Sequence, residues 1–259
     1  MAMATILYGH DDPILGEPLC RALASEGFDV LVAHSGREVL QLSHSASPVL
    51  ILLDTDLPDV DYYMVLARLQ VSSEVLIVLL SAQGREEDVI LGFKRGADDY
   101  IAKPVSVPVL ISRIKALLHR AKLYAQQQPD GGCIYDMPGA VFDTRRNAVL
   151  GHDNTSVTLT ATEGRILRLL LENKGRVLPA SRILEHIGGY DSESDISVIK
   201  VHMMNLRQKI AKLSNSPGLI RTVRGIGYAI NTSDDGGVVR MHSGTTRRNP
   251  RMTLAVVGQ

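Results

Sequence analysis

Short apolar runs alternate with helix-length segments along the first 120 or so residues of the chain. The runs are rich in Val, Ile and Leu, and they span residues 5–9, 29–33, 49–53, 75–80 and 100–102. Apolar runs of this length, separated by helical patterns, are typical of buried parallel strands. A last helical segment follows from about 107 to 120. The alternation predicts an α/β domain with a doubly wound, five-stranded parallel sheet.

The pattern changes at residues 121–130, where Gln and Pro dominate and the apolar period fades. This composition predicts a linker. Beyond it lies a second, α+β domain over residues 131–232, with short strand-like pieces at 134–137, 140–143, 147–150 and 155–159 and a hairpin over 219–230. A helix begins at Thr160, which forms a capping box with Glu163, and two more are expected at about 180–186 and 195–213.

Residues 233–259 fit neither domain, since Ser, Asp, Gly, Thr and Arg prevail there. Two interpretations of this tail stay open: a disordered segment, or a basic arm that adds contacts to DNA phosphates.

Composition narrows the class of protein. The 259 residues carry equal numbers of acidic and basic side chains, so any basic surface must be local. Cys20 and Cys133 lie far apart without metal-ligand spacing, which argues against a disulfide scaffold. The absence of a long apolar stretch and of a signal peptide predicts a soluble, cytoplasmic protein with no membrane partner.

Chemically reactive side chains follow the apolar runs of the first domain. Asp54 ends the third run, Ser81 follows the fourth and Lys103 follows the fifth, while Asp11 comes just after the first. Since chemistry gathers outside the carboxyl ends of parallel strands, these side chains should meet at one sheet edge. Two carboxylates, a hydroxyl and an ammonium suit a divalent cation and a phosphoryl group.

With its Asp98-Asp99-Tyr100 run and Lys103-Pro104, this half of the chain resembles a response-regulator receiver domain over residues 1–120. The resemblance implies a flavodoxin-like strand order 2-1-3-4-5 and a phospho-acceptor, Asp54, that a sensor histidine kinase would phosphorylate. It also implies that Mg²⁺ is held by Asp11, Asp54 and the backbone carbonyl of Asp56. Further roles that it implies are phosphate binding by Ser81 and Lys103, a rotating switch at Tyr100, and a cis bond before Pro104.

Three positions depart from the receiver pattern: His10 in place of the first acid, Tyr62 in place of glycine, and Val105 in place of phenylalanine. His10 removes an oxygen ligand, and its protonated ring would repel Mg²⁺, so metal binding should weaken. Tyr62 is expected in the loop beside Asp54, where it would restrict access. Asp12 is expected to cap the first helix, although it is also a candidate substitute for the missing acid.

The second domain resembles the winged-helix effector domain of the OmpR/PhoB class. The resemblance lies in Leu159-Thr-Ala-Thr-Glu163, Gly175-Arg-Val-Leu178, Val201-His202, Leu206-Arg207-Gln-Lys209 and the run 220–228 with its glycines at 225 and 227. In the helix at 195–213, an apolar stripe of Ile199, Met203, Leu206, Ile210 and Leu213 predicts the core face.

The opposite face of that helix is expected to lie in the major groove of double-stranded DNA, with Val201 and Met204 near thymine methyls. Asn205 suits adenine or a solvent-exposed amide equally, and His202 suits a phosphate contact or a packed histidine. The candidate DNA-binding residues are Ser197, Lys200, Val201, His202, Met204, Asn205, Arg207, Gln208, Lys209, Lys212, Arg221, Thr222 and Arg224.

The sequence thus predicts a transcriptional regulator of a two-component system, acting as a homodimer with RNA polymerase as a further partner. Asp99 and Arg113 are the candidate residues of the dimer face, paired across a two-fold axis. The first alternative is a DNA-binding regulator that works without phosphorylation. The second, a small-molecule phosphatase or nucleotide-binding enzyme, is disfavoured because the first strand is not followed by a Gly-rich phosphate loop.

Overall fold

The structure is a computed structural model that describes residues 4–69, 75–82, 85–126, 132–153, 155–187, 196–213 and 218–230. The tail at 233–259 therefore lies outside the described residues. Within these ranges, no helix is both long enough and apolar enough to cross a membrane.

The first domain is built on five parallel strands, as the sequence predicts. They are β1 (Thr5–Gly9), β2 (Asp29–Ala33), β3 (Leu50–Asp54), β4 (Leu76–Ser81) and β5 (Asp99–Ala102), in the order β2-β1-β3-β4-β5. Strands β3 and β4 are buried at every position because helices cover both faces of the sheet. The helices are α1 (Pro13–Ser25), α2 (Gly36–Ala46), α3 (Tyr62–Leu69), α4 (Glu86–Lys94) and α5 (Val107–Gln126).

Helix α5 is longer than the sequence predicted. It continues past residue 120 to Gln126, so the first part of the expected linker is helical. Residues such as Ala121, Lys122 and Leu123 are good helix formers, and they outweigh the loss of apolar periodicity on which the linker prediction relied.

The second domain begins with an antiparallel sheet of β6 (Ile134–Met137), β7 (Ala140–Asp143), β8 (Ala148–Gly151) and β9 (Ser156–Thr158). Three helices follow: α6 (Ala161–Glu172), α7 (Ala180–Ile187) and α8 (Ile196–Ala211). The capping box at α6 is confirmed, with Thr160 accepting from the Glu163 backbone and Glu163 accepting from the Thr160 backbone. The apolar stripe of α8 lies in the core of this domain, also as predicted.

The wing is the hairpin of β11 (Ile220–Val223) and β12 (Gly227–Ile230), to which a two-residue strand, β10 (Leu178–Pro179), adds a third member that the sequence did not predict. The two glycines of the hairpin serve different purposes. Gly225 has a φ of +74°, a left-handed conformation at the turn. At Gly227 a Cβ would collide with the carbonyl oxygen of Leu178, so close pairing with β10 requires glycine there.

Candidate functional site: the acidic edge and the helix it faces

Asp54 ends β3 at the carboxyl edge of the parallel sheet and is 2% exposed. Its Oδ2 is bonded to the ammonium of Lys103, and its Oδ1 accepts a hydrogen bond of 3.2 Å from the Asp56 backbone. The peptide bond between Lys103 and Pro104 is cis. The structure therefore brings together the carboxylate and the ammonium that the sequence predicted at this edge.

The acid that approaches Lys103 from α1 is Asp12. Its Oδ2 lies 3.6 Å from Lys103 Nζ, while its Oδ1 caps α1 by accepting from the Ile14 and Leu15 backbones. Burial alone would raise the pKa of Asp12, but the backbone donors of Leu15 and Ile14 hold it below its usual value. Asp11 is exposed. Asp12 thus caps α1, as expected, and also lies beside Lys103. Its role as a substitute for the missing acid stays a prediction.

His10 is buried, and its ring is turned into the fold. Its ring stacks on Tyr8 with centroids 4.1 Å apart, and its Nδ1 accepts a hydrogen bond of 3.2 Å from the Asp12 backbone. A Cβ on Gly16 would collide with the ring, so glycine makes room for it. Burial, and then His34, lowers the pKa of His10. A ring whose Nδ1 accepts from an N–H and whose charged form is poorly solvated is favoured in its neutral form. Weaker Mg²⁺ binding therefore stays a prediction that rests on the missing oxygen ligand rather than on a charged ring.

The edge fits a Mg²⁺ ion in part. Asp54 and Asp12 supply carboxylates and the carbonyl of Asp56 lies beside them in sequence, which suits a cation that prefers oxygen ligands. Among the residues that the structure describes, however, no group of three or more His, Cys, Asp or Glu side chains is arranged to hold a metal ion.

A chain of hydroxyl groups leads from the acidic edge toward α4. Thr55 donates from Oγ1 to Ser81 Oγ at 3.0 Å, and the side chains of Ser81 and Tyr100 are hydrogen-bonded. The sequence had singled out Ser81 and Tyr100 but missed Thr55, which follows Asp54 directly. The Tyr100 ring packs on Gly92 of α4, where a Cβ would lie 3.0 Å from it.

Tyr62 is the first residue of α3, whereas the sequence had predicted that it lies in a loop. Its ring is tilted by 35° to that of Tyr63, with centroids 4.0 Å apart, and packs on the apolar cluster that includes α4 residues. Burial, together with a hydrogen bond to Tyr63, raises its pKa. The Tyr62 ring therefore packs against other side chains of the protein. Its predicted restriction of access to Asp54 stays a prediction.

The outward face of α8 is covered by the receiver. Val198 and Val201 belong to the same apolar cluster as Leu79, Phe93 and Tyr100, with Met204 packed against it. From the sequence, we expected Val201 and Met204 to be exposed apolar residues that contact thymine methyls of DNA. In this structure the apolar surface of α4 covers them instead, because the apolar side chains of α4 and α8 are removed from water together.

Polar contacts join the same two surfaces. Asn205 donates to the carbonyl oxygens of Phe93 and Lys94 at 3.1 and 3.4 Å. Asp98 accepts from the Thr162 backbone at 3.1 Å and from the Ile77 backbone at 2.9 Å. Burial raises the pKa of Asp98, an effect that Arg165 opposes. The sequence gave no sign of Phe93 or Asp98 as contact residues, since neither breaks the pattern of its own domain.

Exposure divides the remaining DNA-binding candidates. Arg207 donates to the Ile220 carbonyl at 3.0 Å and to Thr222 at 2.7 Å, and Lys209 contacts Glu163 at 2.7 Å. These two basic residues hold α8 to the wing and to α6, contacts that the sequence did not predict. Their binding to DNA phosphates stays a prediction. The exposed candidates are Lys200, Gln208, Lys212, Arg221, Thr222 and Arg224, and Ser197 is half-buried.

The candidate dimer residues meet within one chain. Arg113 Nη1 lies 3.5 Å from Asp99 Oδ2, and Asp99 is almost completely buried. The expected pairing across a two-fold axis therefore has an intramolecular counterpart in this structure. Asp99 on β5 and Arg113 on α5 can therefore form this ion pair in a single chain, without a second copy.

Comparison with known proteins agrees with this architecture. Residues 6–115 match the family described as the response regulator receiver domain, and residues 154–230 match that of the transcriptional regulatory protein, C terminal. The chain is 33% identical over 238 residues to the DNA-binding dual master transcriptional regulator RpaA of Synechocystis, covering 91% of this chain and 98% of RpaA. It is 32% identical over 228 residues to the sensory transduction protein RegX3 of Mycobacterium tuberculosis, covering 88% and 99%.

Among solved structures, a mutant of the protein RitR shares the fold of both domains, with a TM-score of 0.72 and 24% identity. The match covers 89% of this chain and all of that one. The receiver at residues 6–115, the effector domain at 154–230 and the relatives that span nearly the whole chain lead to one assignment. The chain belongs to the OmpR/PhoB-type response regulators, two-component transcriptional regulators that are not enzymes and that join a receiver, typically a Mg²⁺-binding domain, to a winged-helix DNA-binding domain.

Proposed function

We propose that phosphorylation of Asp54 by a sensor histidine kinase controls DNA binding by releasing α8 from the receiver. Lys103 and Ser81 would stabilise the negative charge on the phosphoryl oxygens. Mg²⁺ would supply further charge neutralisation. Its proposed ligands are Asp54, the carbonyl of Asp56 and Asp11, with Asp12, which lies beside Lys103, as the alternative to Asp11. We also propose that His10, which offers no oxygen, weakens that metal site.

The burial of α8 against the switch surface carries this proposal. Tyr100 contacts Ser81 on one side and shares an apolar cluster with Val198 and Val201 on the other. A phosphoryl group on Asp54 would compete for the Ser81 hydroxyl, and Tyr100 would move with it. Since a packed interface has few alternative arrangements, a small movement of this ring would favour separation of the two surfaces.

The released α8 would enter the major groove, with the half-buried and buried candidates facing bases. Val201 and Met204 suit thymine methyls, and Asn205 suits adenine. Exposed cations of α8 and of the wing would contact phosphates. The full set that we propose is the one given above: Ser197, Lys200, Val201, His202, Met204, Asn205, Arg207, Gln208, Lys209, Lys212, Arg221, Thr222 and Arg224.

Release would also expose a surface for a second copy of the chain. In the closed protein α8 covers α4, which belongs to the proposed receiver dimer face of α4, β5 and α5, so closure and dimerisation through that face would exclude one another. We propose that Asp99 and Arg113, now paired within one chain, exchange partners across a two-fold axis in the dimer. Such a dimer would place two winged helices on a repeated DNA site.

We propose that the chain consists of a receiver at 1–120, a linker at 121–130, an effector domain at 131–232 and a tail at 233–259. Its partners would be duplex DNA, the kinase and RNA polymerase. Since the protein would act on DNA together with RNA polymerase, we propose that it is cytoplasmic.

Phosphate-affinity electrophoresis after treatment with acetyl phosphate and Mg²⁺ tests the trigger. Wild-type protein should show a retarded band that Asp54→Asn lacks. Asp56→Asn is the matched control: it replaces an exposed carboxylate two residues away but keeps the backbone carbonyl, so its retarded band should persist. Genome-wide DNA occupancy of wild type and Asp54→Ala then shows whether binding depends on the trigger.

One observation favours the second candidate function, a regulator that works without phosphorylation. Both oxygens of Asp54 are engaged, and the side chain is almost completely buried. If wild type and Asp54→Asn migrate alike with acetyl phosphate and with the cognate kinase, this second function replaces the first.

A further inference from the structure

The imidazole of His202 is sealed between the winged helix and the receiver. It is 1% exposed, and the Phe93 ring of α4 meets it edge-on with centroids 5.5 Å apart. Neither ring nitrogen has a hydrogen-bond partner. A buried polar group without a hydrogen-bond partner costs free energy. His202 therefore makes the interface less stable than an apolar residue of similar size would.

The charged groups around His202 disfavour its protonated form. Arg165 from α6 and Lys209 from α8 itself both act on the ring. On α4, the last residue, Lys94, is also a cation, and its carbonyl oxygen accepts from Asn205 of α8, whereas the guanidinium of Arg95 lies over the Tyr63 ring. On α7, His186 faces the same guanidinium of Arg165.

The buried carboxylates of this region are committed elsewhere. Asp98 of the receiver accepts from Thr162 and Ile77 and is influenced by Arg165. Glu163 of α6 is bonded to Lys209 and to the Thr160 backbone. A proton on His202 would therefore meet cations, an aromatic ring and no available carboxylate among these groups.

We propose that His202 is a pH-sensitive latch, and that its protonation releases α8 from the receiver without phosphorylation of Asp54. The proposal rests on the proposed function only in taking the closed protein as the form that cannot bind DNA. Its test needs neither DNA nor phosphate.

The direction of the pH effect depends on whether the closed or the open form binds the proton on His202 more tightly. In the closed protein burial, followed by Arg165 and Lys209, lowers the pKa of His202 to about 3. An exposed imidazole has a pKa of about 6.5. The open form therefore takes up the proton first, so closure is fully stabilised above about pH 6.5 and is lost progressively as the pH falls below it. Between pH 7.5 and 5.0 the ratio of open to closed protein should rise about thirtyfold.

Proton NMR of the histidine ring in the full-length chain tests the latch directly. The His202 signal, assigned by its loss in His202→Gln, should titrate clearly below the ordinary imidazole pKa. In Val198→Gln, which places a polar side chain in the same interface and keeps the imidazole, the pKa should rise toward about 6.5. Equal titration of His202 in both proteins would overturn the proposal.

Small-angle X-ray scattering adds a readout of shape. Wild type and the matched control His186→Gln should both gain radius of gyration between pH 7.5 and 5.0 at unchanged molecular mass. His202→Gln should have the same radius at both pH values. An equal pH response in His202→Gln and wild type would also overturn the proposal. If Asp54 proves not to be phosphorylated, the expected results of the NMR and scattering experiments stay the same.

Discussion

The two faces of α8 are both apolar and both buried, but they are covered by different domains. One face, with Ile199, Met203 and Leu206, packs into the core of its own domain. The other, with Val198 and Val201, packs against α4 of the receiver and joins an apolar cluster that includes Tyr100 of β5. The first contact defines the winged-helix fold, whereas the second joins two domains that could each keep their core without it. Apolar periodicity therefore shows that a helix face needs a cover, but not which surface provides it.

Truncation of the inner face should have the largest effect on stability. Met203 is completely buried, so Met203→Ala should lower the free energy of unfolding of the winged-helix domain by about 2–5 kcal/mol. Chemical denaturation monitored by circular dichroism measures the loss. Leu123→Ala, at a 42% exposed apolar position on α5, is the control and should stay within about 0.5 kcal/mol of wild type.

A polar residue on the outer face should open the protein while the domain stays folded. Val198→Gln buries an amide in the apolar cluster that contains Phe93 and Tyr100, which should favour the open form by about 1–3 kcal/mol, or roughly five- to 150-fold. Affinity of the unphosphorylated protein for a labelled duplex, selected from a random library, should rise accordingly in fluorescence anisotropy. Unchanged affinity would mean that closure by this face does not limit DNA binding.

Loss of the interdomain carboxylate should have a smaller effect of the same sign. Asp98→Asn keeps the shape but weakens the hydrogen bond from Thr162 and the attraction to Arg165, which should favour opening by about 1 kcal/mol. The same anisotropy titration measures it. Asp153→Asn, in an exposed loop of the winged-helix domain, is the matched change of charge and should leave the affinity near that of wild type.

The smallest effect concerns a cation that the receiver does not cover. Lys200 is exposed on α8, and its replacement by Ala should weaken DNA binding and reduce the slope of log affinity against log salt by about 1. Opening should be unaffected, so the radius of gyration stays that of wild type. Lys174→Ala, whose ammonium contacts the Asp136 carbonyl away from α8, should leave the salt slope unchanged.

Sequence patterns predicted the fold of each domain well because both domains are organised by local periodicity. The strand ends carried Asp54, Ser81 and Lys103 to one edge by topology alone. The capping box placed the start of α6, and two glycines located the wing. Each of these signals lies within a few residues of the structure that it specifies.

Contacts between the domains left no comparable signal. Phe93 and Asp98 look like an ordinary core residue and a family motif residue, and only the assembled structure brings them to His202 and Thr162. The ion pair between Asp12 and Lys103 was not predicted for a related reason. A residue at a helix start predicts a cap, whereas its second oxygen meets Lys103 through the arrangement of β1 and β5.

The central claim is that the receiver covers α8 until a phosphoryl group on Asp54 releases it. Anisotropy titration of one selected duplex with wild type, before and after phosphorylation, and with unphosphorylated Val198→Gln tests it most directly. Phosphorylated wild type should bind at least tenfold more tightly than unphosphorylated wild type, corresponding to about 1.4 kcal/mol, and Val198→Gln should match the tight form without phosphate. Equal, tight binding by all three proteins would contradict the claim, because α8 would then be available to DNA whether or not the receiver is phosphorylated.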